Sequence, residues 1–438
     1  MTDDTGARVE AVWRIEAPKV IAGLARMVDD IGLAEESAQD ALVAALEQWP
    51  RSGVPENPGA WLMATAKRRA IDALRRRQRF DRKLSELGNE LETQQPDVAR
   101  DVAAALEEEI GDDVLTLVFT ACHPVLSTPA RVALTLRVLC GLTTGEIARA
   151  FLVPEPTVAQ RIVRAKRTLV DRGVSFAVPC GQELTDRLPA VLEVLYLVFN
   201  EGYTATSGNE WSRPELCEEA LRLGRMVAER IPGEPEAHGL VALLELQHSR
   251  SRARVGPGGE AVPLLEQNRG RWDQLLVRRG LAELERAHTL VRKRGATSGP
   301  YVLQADIAAC HARAPRPEET NWPRIAALYT ALAGVAPSPV VELNRAVALA
   351  MVFGPERGLD LVDELAGDPA LRNYHLLPSV RGDLLVQLER FGEARAEFER
   401  AADLTRNERE RALLLDRAAA CAAGTATSAA APPPTPSD

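Results

Sequence analysis

The chain has 438 residues, 46 % hydrophobic and 26 % charged, with a formal net charge of −9. That length allows two to four domains, and abundant Ala, Leu, Arg and Glu with only 4 % aromatics predicts an all-α protein. Six scattered cysteines without a CxxC, no basic-then-apolar leader and no apolar run of membrane length argue against a disulfide scaffold, a secreted chain or a membrane span.

A cytoplasmic protein is therefore expected. No metal or cofactor is expected either: His123 beside Cys122 lacks the further ligands a zinc site needs. The chain has no GxxxxGK[ST] loop and no HExxH, and its remaining histidines are dispersed, so an enzyme is not expected.

Residues 10–83 read as a first helical domain. Val20, Ile21, Leu24, Met27, Val28 and Ile31 recur at helical spacing, and Ala34, Ala38, Ala41, Leu42, Ala45 and Trp49 continue the pattern on a second helix. PRSGVPENP, Pro50 to Pro58, predicts a loop. The next helix opens on Trp61 and Leu62. It then carries nine Lys or Arg between Lys67 and Lys83 against Asp72 and Asp81, a local excess of +7 in an acidic chain. Cations along a helix with an aromatic at one end suit a nucleic-acid backbone with a base nearby. Asp72 is expected to pair with an Arg one helical turn away.

Residues 84–111 form an acidic linker; the stretch 84–113 holds ten acids and one Arg. Residues 112–175 form a second domain ending in a helix–turn–helix, and 131–172 return to a net +5. Thr143-Thr144-Gly145-Glu146 has capping-box spacing. EIARAF is the first short helix, LVPEP the turn, and TVAQRIVRAKRTLV the second helix, with Pro156 tolerated in its first turn. Val158, Ile162, Ala165 and Leu169 should be buried. Gln160, Arg161, Arg164 and Arg167 lie on other faces.

Residues 180–422 are again helical, with Pro or Gly punctuation every 15–40 residues. Ala346, Gly358, Val362 and Leu365 repeat as Gly382, Ala394, Phe398 and Ala401 at an offset of 36, close to the tetratricopeptide period, so a repeat-like array or a plainer array of helical hairpins is expected. Asn200-Glu201-Gly202-Tyr203 stands out as a turn or an interface. Residues 423–438, rich in Ala, Pro, Ser and Thr, are expected to be disordered.

Three stretches, in order, resemble a known family. LAEESAQDALVAALEQW is similar to the polymerase-binding helix in region 2 of bacterial extracytoplasmic-function (ECF) sigma factors, AWLMATAKRRAIDALRRR to their −10 element segment, and LTTGEIARAFLVPEPTVAQRIVRAKRTL to their region 4 helix–turn–helix. LPAVLEVLYLVFNEGYTATSG resembles the group with a long tetratricopeptide-like C-terminal extension. The resemblance implies a promoter-reading subunit, without activity of its own as an enzyme, whose partners are core RNA polymerase and promoter DNA. A protein ligand of the extension is a further implied partner, and the extension would regulate the rest.

The resemblance also implies site residues. Glu36, Gln39 and Asp40 lie on the polar face of the polymerase-contacting helix. The loop from Arg51 to Asn57 lies near a flipped base of the −10 element, with Trp61 at that pocket or packed in the core. Lys67, Arg68, Arg69, Arg75, Arg76, Arg77 and Arg79 contact phosphates. At the −35 element, Thr157, Gln160, Arg161 and Arg164 are placed to enter the major groove, while Lys166 and Arg167 hold phosphates. Two positions depart from the family: Arg68 stands where Asn is usual, and Pro154-Glu155-Pro156 replaces a capping Ser or Thr. The acidic linker would either thread a polymerase channel or cover the basic helices. The competing reading is a helix–turn–helix regulator with protein-binding repeats that never joins polymerase; it leaves residues 33–62 unexplained.

Overall fold

The computed structural model describes residues 2–86, 110–151, 153–204, 212–256 and 261–422. The acidic linker, except its ends, and the C-terminal tail lie outside these residues. The described chain is helical, with an isolated antiparallel bridge between Val255 and Ala261. It divides into two compact units, Met1–Val194 and Leu195–Asp438.

In the first unit, α1 (Thr2–Val28), α2 (Ile31–Ser52) and α3 (Pro58–Glu86) pack on one another. Small residues make this possible: Ala17, Ala22, Ala25, Ala34, Ala38, Ala41, Ala45, Ala66 and Ala70 are all buried, so the helix axes come close and Trp49 fills the remaining space. The Asp30 carboxylate caps α2 by accepting from the backbone N–H of Gly32 and Leu33 at 2.7 and 3.1 Å. Helix α2 runs three residues into the expected loop, through Pro50 to Ser52. A proline in the last turn removes only one ladder bond, at an exposed position, and Gly53, with φ of 83°, ends the helix by donating to the Trp49 carbonyl.

The second half of this unit holds α4 (Ile110–Ala121), α5 (Thr128–Val138), α6 (Thr144–Phe151) and α7 (Glu155–Asp171). The capping box forms as the spacing predicts: the Thr143 N–H donates to Glu146 Oε2 at 2.7 Å and the Glu146 N–H to Thr143 Oγ1 at 3.1 Å. Val158, Ile162, Ala165 and Leu169 are the buried stripe of α7. The division between the units falls inside α8 (Gly181–Tyr203), later than the expected boundary at 180. The reason lies in side chains of its first half: Arg187 donates to the Phe119 carbonyl at 2.9 Å, and Glu193 pairs with Arg131 at 3.1 Å.

The second unit continues through α9 (Pro214–Arg230), α10 (Pro235–His248), α11 (Gln274–Arg294), α12 (Pro300–Arg313) and α13 (Trp322–Val335) to α14 (Pro339–Phe353). It ends with α15 (Pro355–Leu365), α16 (Leu376–Gln387), α17 (Phe391–Leu404) and α18 (Glu408–Ala422). The 36-residue offset maps α14–α15 onto α16–α17, two consecutive helical hairpins. Its small residues sit at the crossings. A Cβ on Gly358 would lie 2.5 Å from the Ala350 Cβ, and one on Gly382 would lie 2.7 Å from the buried Phe398 ring. Substituting Gly382→Ala should therefore cost about 1–3 kcal/mol through overpacking. Urea unfolding monitored by circular dichroism measures it; unchanged stability would show that Phe398 can move aside.

Candidate nucleic-acid interface

Helix α3 starts at an Asn57 cap, whose Oδ1 accepts from the Ala60 N–H at 3.1 Å. Trp61 is half-buried and meets Trp49 edge-on, with centroids 5.3 Å apart at 66°. Its ring is thus braced on buried Trp49, while its backbone N–H donates to the Asn57 carbonyl at 3.2 Å. Arg51 and Asn57 are exposed.

Along α3, Arg68, Arg69, Arg75, Arg76 and Arg79 are exposed and Lys67 is half-buried; the side chain of Arg77 lies outside the described residues. Three of these arginines fold back on their own helix. Arg68, Arg76 and Arg79 each donate through Nε to the carbonyl four residues earlier, at 3.2, 3.3 and 3.1 Å. The expected ion pairs of Asp72 do not form among the described residues; Arg76 takes its backbone carbonyl instead. Back-bonding through Nε fixes each guanidinium stem and leaves the terminal nitrogens outward, a geometry suited to phosphate oxygens.

On α7, Gln160, Val163, Arg164 and Arg167 form one exposed face, and Val163 is 64 % exposed. Arg164 reaches Gln160 at 3.5 Å, and Arg167 pairs with Asp171 at 3.5 Å in solvent. Thr157 and Arg161 are half-buried at the flank of this face. Pro154 offers no side-chain cap; Glu155, in the first turn, accepts from the Thr144 hydroxyl at 3.0 Å and pins the turn to α6.

Lys166 takes part in a contact that the sequence did not reveal. The Glu35 carboxylate, 4 % exposed, accepts from Arg137 Nε at 2.6 Å through one oxygen and pairs with the Lys166 ammonium through the other. Gln39 Nε2 also donates to Glu35. Arg137 spends a further N–H on the Leu142 carbonyl at 3.1 Å, which leads into the capped start of α6. One buried acid thus ties α2 to α5 and α7. Weaker ties surround it: Arg26 with Asp113 at 3.3 Å, Arg14 with Glu146 at 3.9 Å, and the Phe176 N–H with Asp29 at 3.2 Å. Helical phase carries the trace of this role, because Glu35 lies beside Ala34 and Ala38 at the edge of the buried stripe of α2.

Of the other acids and amides on α2, Glu36 and Asp40 are exposed and Gln39 is half-buried. Glu36, Asp40, Val43 and Glu47 share one outward strip, with Val43 53 % and neighbouring Leu46 47 % exposed. Three acids beside bare aliphatics form an exposed face, and it borders a groove of about 540 Å³ that Leu142 and Thr143 also line.

Cys122 and His123 serve the turn they occupy. Burial pushes the Cys122 thiol up to about 11, beside the Thr135 hydroxyl at 3.4 Å, and His123 Nδ1 accepts from the Val125 N–H at 3.1 Å. Among the described residues no three His, Cys, Asp or Glu side chains gather as for a metal ion, and no helix is long and apolar enough to cross a membrane.

A basic helix that follows a capped, tryptophan-braced turn, joined to a capped helix–turn–helix, defines a two-part promoter reader of the sigma-70 type. Residues 13–80 match the family model of sigma-70 region 2, and residues 117–169 that of sigma-70 region 4. Residues 187–288 match a family of unknown function, DUF6596. The chain belongs to the ECF-type sigma factors that carry a C-terminal extension. An uncharacterized protein of Rhizobium meliloti (strain 1021) is 42 % identical over 407 residues, covering 92 % of this chain and 94 % of that one. No solved structure matches.

Replacing Glu35→Gln should cost about 3 kcal/mol, since Arg137 and Lys166 would then share a site without a counter-charge. A double-mutant cycle with Lys166→Met tests this by denaturant unfolding: Lys166→Met should cost less when combined with Glu35→Gln than alone, whereas additive costs would mean that the two groups do not interact.

Proposed function

We propose that the chain docks on core RNA polymerase through the exposed strip of α2, reads a melted −10 element with α3 and the turn before it, and reads a duplex −35 element with α7, while the C-terminal helical domain regulates this work in the cytoplasm. One observation carries the reading: a single compact unit presents two exposed cationic helix faces together with an acid-and-aliphatic strip that no part of its own described chain covers. A regulator that needed only a helix–turn–helix would have no use for the α2 strip or for α3.

The chemistry of each surface fits its task. Outward guanidinium groups on α3 supply sequence-independent phosphate contacts. The turn at Arg51–Asn57, braced by Trp61 on Trp49, offers backbone and amide groups to the edge of an extruded base; extrusion costs a few kcal/mol that a shaped pocket must offset. On α7, Gln160 and Arg164 can make bidentate contacts to adenine and guanine, and Val163 gives a thymine methyl an apolar partner. Lys166 would join the phosphate contacts only after leaving Glu35. Gripping two separated DNA elements requires the two halves of the first unit to part, and residues 87–109 supply chain to cover up to about 75 Å at full extension.

Affinity purification of the tagged chain from cells tests the docking claim. Core polymerase subunits should co-purify, and Asp40→Arg should reduce them about tenfold; a chain that binds duplex DNA alone and never polymerase would overturn the reading in favour of a free-standing regulator.

Two substitutions separate base reading from phosphate gripping. In holoenzyme–promoter binding assays, Arg161→Ala should cost ~1–3 kcal/mol at one −35 position and leave other sequences unaffected. Arg76→Ala should weaken all sequences alike and reduce the salt slope by about 1. Uniform weakening by Arg161→Ala would make that residue a phosphate contact.

A further inference from the structure

The Asn200-Glu201-Gly202-Tyr203 segment at the end of α8 is too elaborately held to be a plain turn. Buried Glu201 is ion-paired with Arg213. A Cβ on Gly202 would lie 2.7 Å from the Cys217 N and 2.9 Å from the Arg213 carbonyl, so only glycine lets α9 approach this closely. The Arg254 guanidinium covers the Tyr203 ring with its centre 3.7 Å from the centroid. With Glu201 and Gly202 committed to α9, Asn200 and Tyr203 are left to line a cavity.

That cavity, about 630 Å³, lies wholly within the second unit, between α8, α10, α12, α13 and α14. Its size falls in the range of ligand sites, ~300–1,000 Å³. None of its lining residues is charged. Its floor is aliphatic, with Leu243, Ile307, Leu332 and Val341, and its polar groups are amides and phenols. Several of these have unused hydrogen-bonding capacity. The Tyr203 hydroxyl is buried without a partner. Gln247 uses its oxygen on Arg250 at 2.9 Å, which leaves its NH₂ to donate. Burial pushes the Tyr329 phenol up to about 12, so it remains a donor at any physiological pH. Tyr196 is instead already committed to Gln304 at 3.1 Å.

We propose that this cavity binds a short extended peptide segment without charged side chains, its amides met by Asn200, Tyr203, Gln247 and Asn344 and its small apolar or proline side chains by the tyrosine rings and the aliphatic floor. A charged ligand such as a nucleotide or an organic acid would find no counter-ion here, and its desolvation would be uncompensated. Peptide groups demand donors and acceptors together, which side-chain amides provide, and aromatic walls suit proline-containing segments. Two sources have this chemistry: a partner protein, and the chain's own Ala430–Ser437, AAPPPTPS, which carries no charge. The consequence for transcription rests on the sigma-factor reading, but binding itself does not.

The test uses the full chain without polymerase, so its failure leaves promoter reading untouched. The probe is a fluorescein-labelled, end-blocked pool of eight-residue peptides made from Ala, Pro, Ser, Thr and Val, read by fluorescence anisotropy. Saturable binding is expected, weakened at least tenfold by Asn200→Leu and by Asn344→Arg; the second lies at the exposed rim and keeps the test valid if the first unfolds, as checked by thermal melting. A chain with Pro432→Ser, Pro433→Ser, Pro434→Ser and Pro436→Ser distinguishes the sources. Tighter probe binding than in the natural chain means that the tail competes for the cavity, and equal binding assigns it to an outside peptide. No saturable binding to either chain, loss in neither site variant, or equal affinity for a pool containing Asp and Lys would overturn the proposal.

Discussion

Burying a carboxylate is costly unless hydrogen bonds or opposite charge compensate it, and Glu35 is compensated by two cations. Arg137 and Lys166 come from helices more than a hundred residues away in sequence, so the requirement to neutralise one buried acid brings the region 2 helices and the region 4 helix–turn–helix into one body. That arrangement joins the two halves of the first unit. It places Glu35 and Arg137 in the wall of the groove beside Leu142 and Thr143 and withdraws one cation of α7 from solvent. The energy of such a tie is conditional. It persists while Glu35 stays dry, and any partner that hydrates this acid or competes for its cations favours the separated form.

The cations of α3 follow a different rule. They are not neutralised internally: Arg68, Arg69, Arg75, Arg76 and Arg79 stand in solvent, and three of them are steadied by bonds to their own helix rather than by acids. A cation that spent its charge on an intramolecular carboxylate would have to break that pair to reach a phosphate. The contrast between Lys166, paired with an acid, and Arg76, held only by a carbonyl, thus separates a cation already neutralised within the chain from one that is not.

Local features were legible in the sequence because their causes are local. The Thr143–Glu146 capping box, the buried stripe of α7 and the 36-residue recurrence of small and large residues all depend on neighbours within a few turns, and the structure shows each of them. The end of α2 was misplaced because Pro50 reads as a breaker unless its position in the final turn is known. That the helix beginning at Gly181 packs its first half back on the first unit was not legible near 180, because Arg187 and Glu193 have their partners some sixty residues back. Glu35 and the uncharged cavity were hidden for the same reason, since both are made by contacts between distant helices. The Asn200–Tyr203 segment announced itself by composition, but its purpose became readable only when Glu201 and Gly202 were seen to be taken by α9.

On the proposed function, these surfaces work together on polymerase as a promoter-specific initiation subunit. Run-off transcription with purified core polymerase and a genomic promoter library tests it most directly. The account predicts transcripts that start at a discrete promoter class only when the chain is added and that are lost when the −35 sequence is scrambled. Transcription indifferent to the chain, or the same start sites with core enzyme alone, would contradict it.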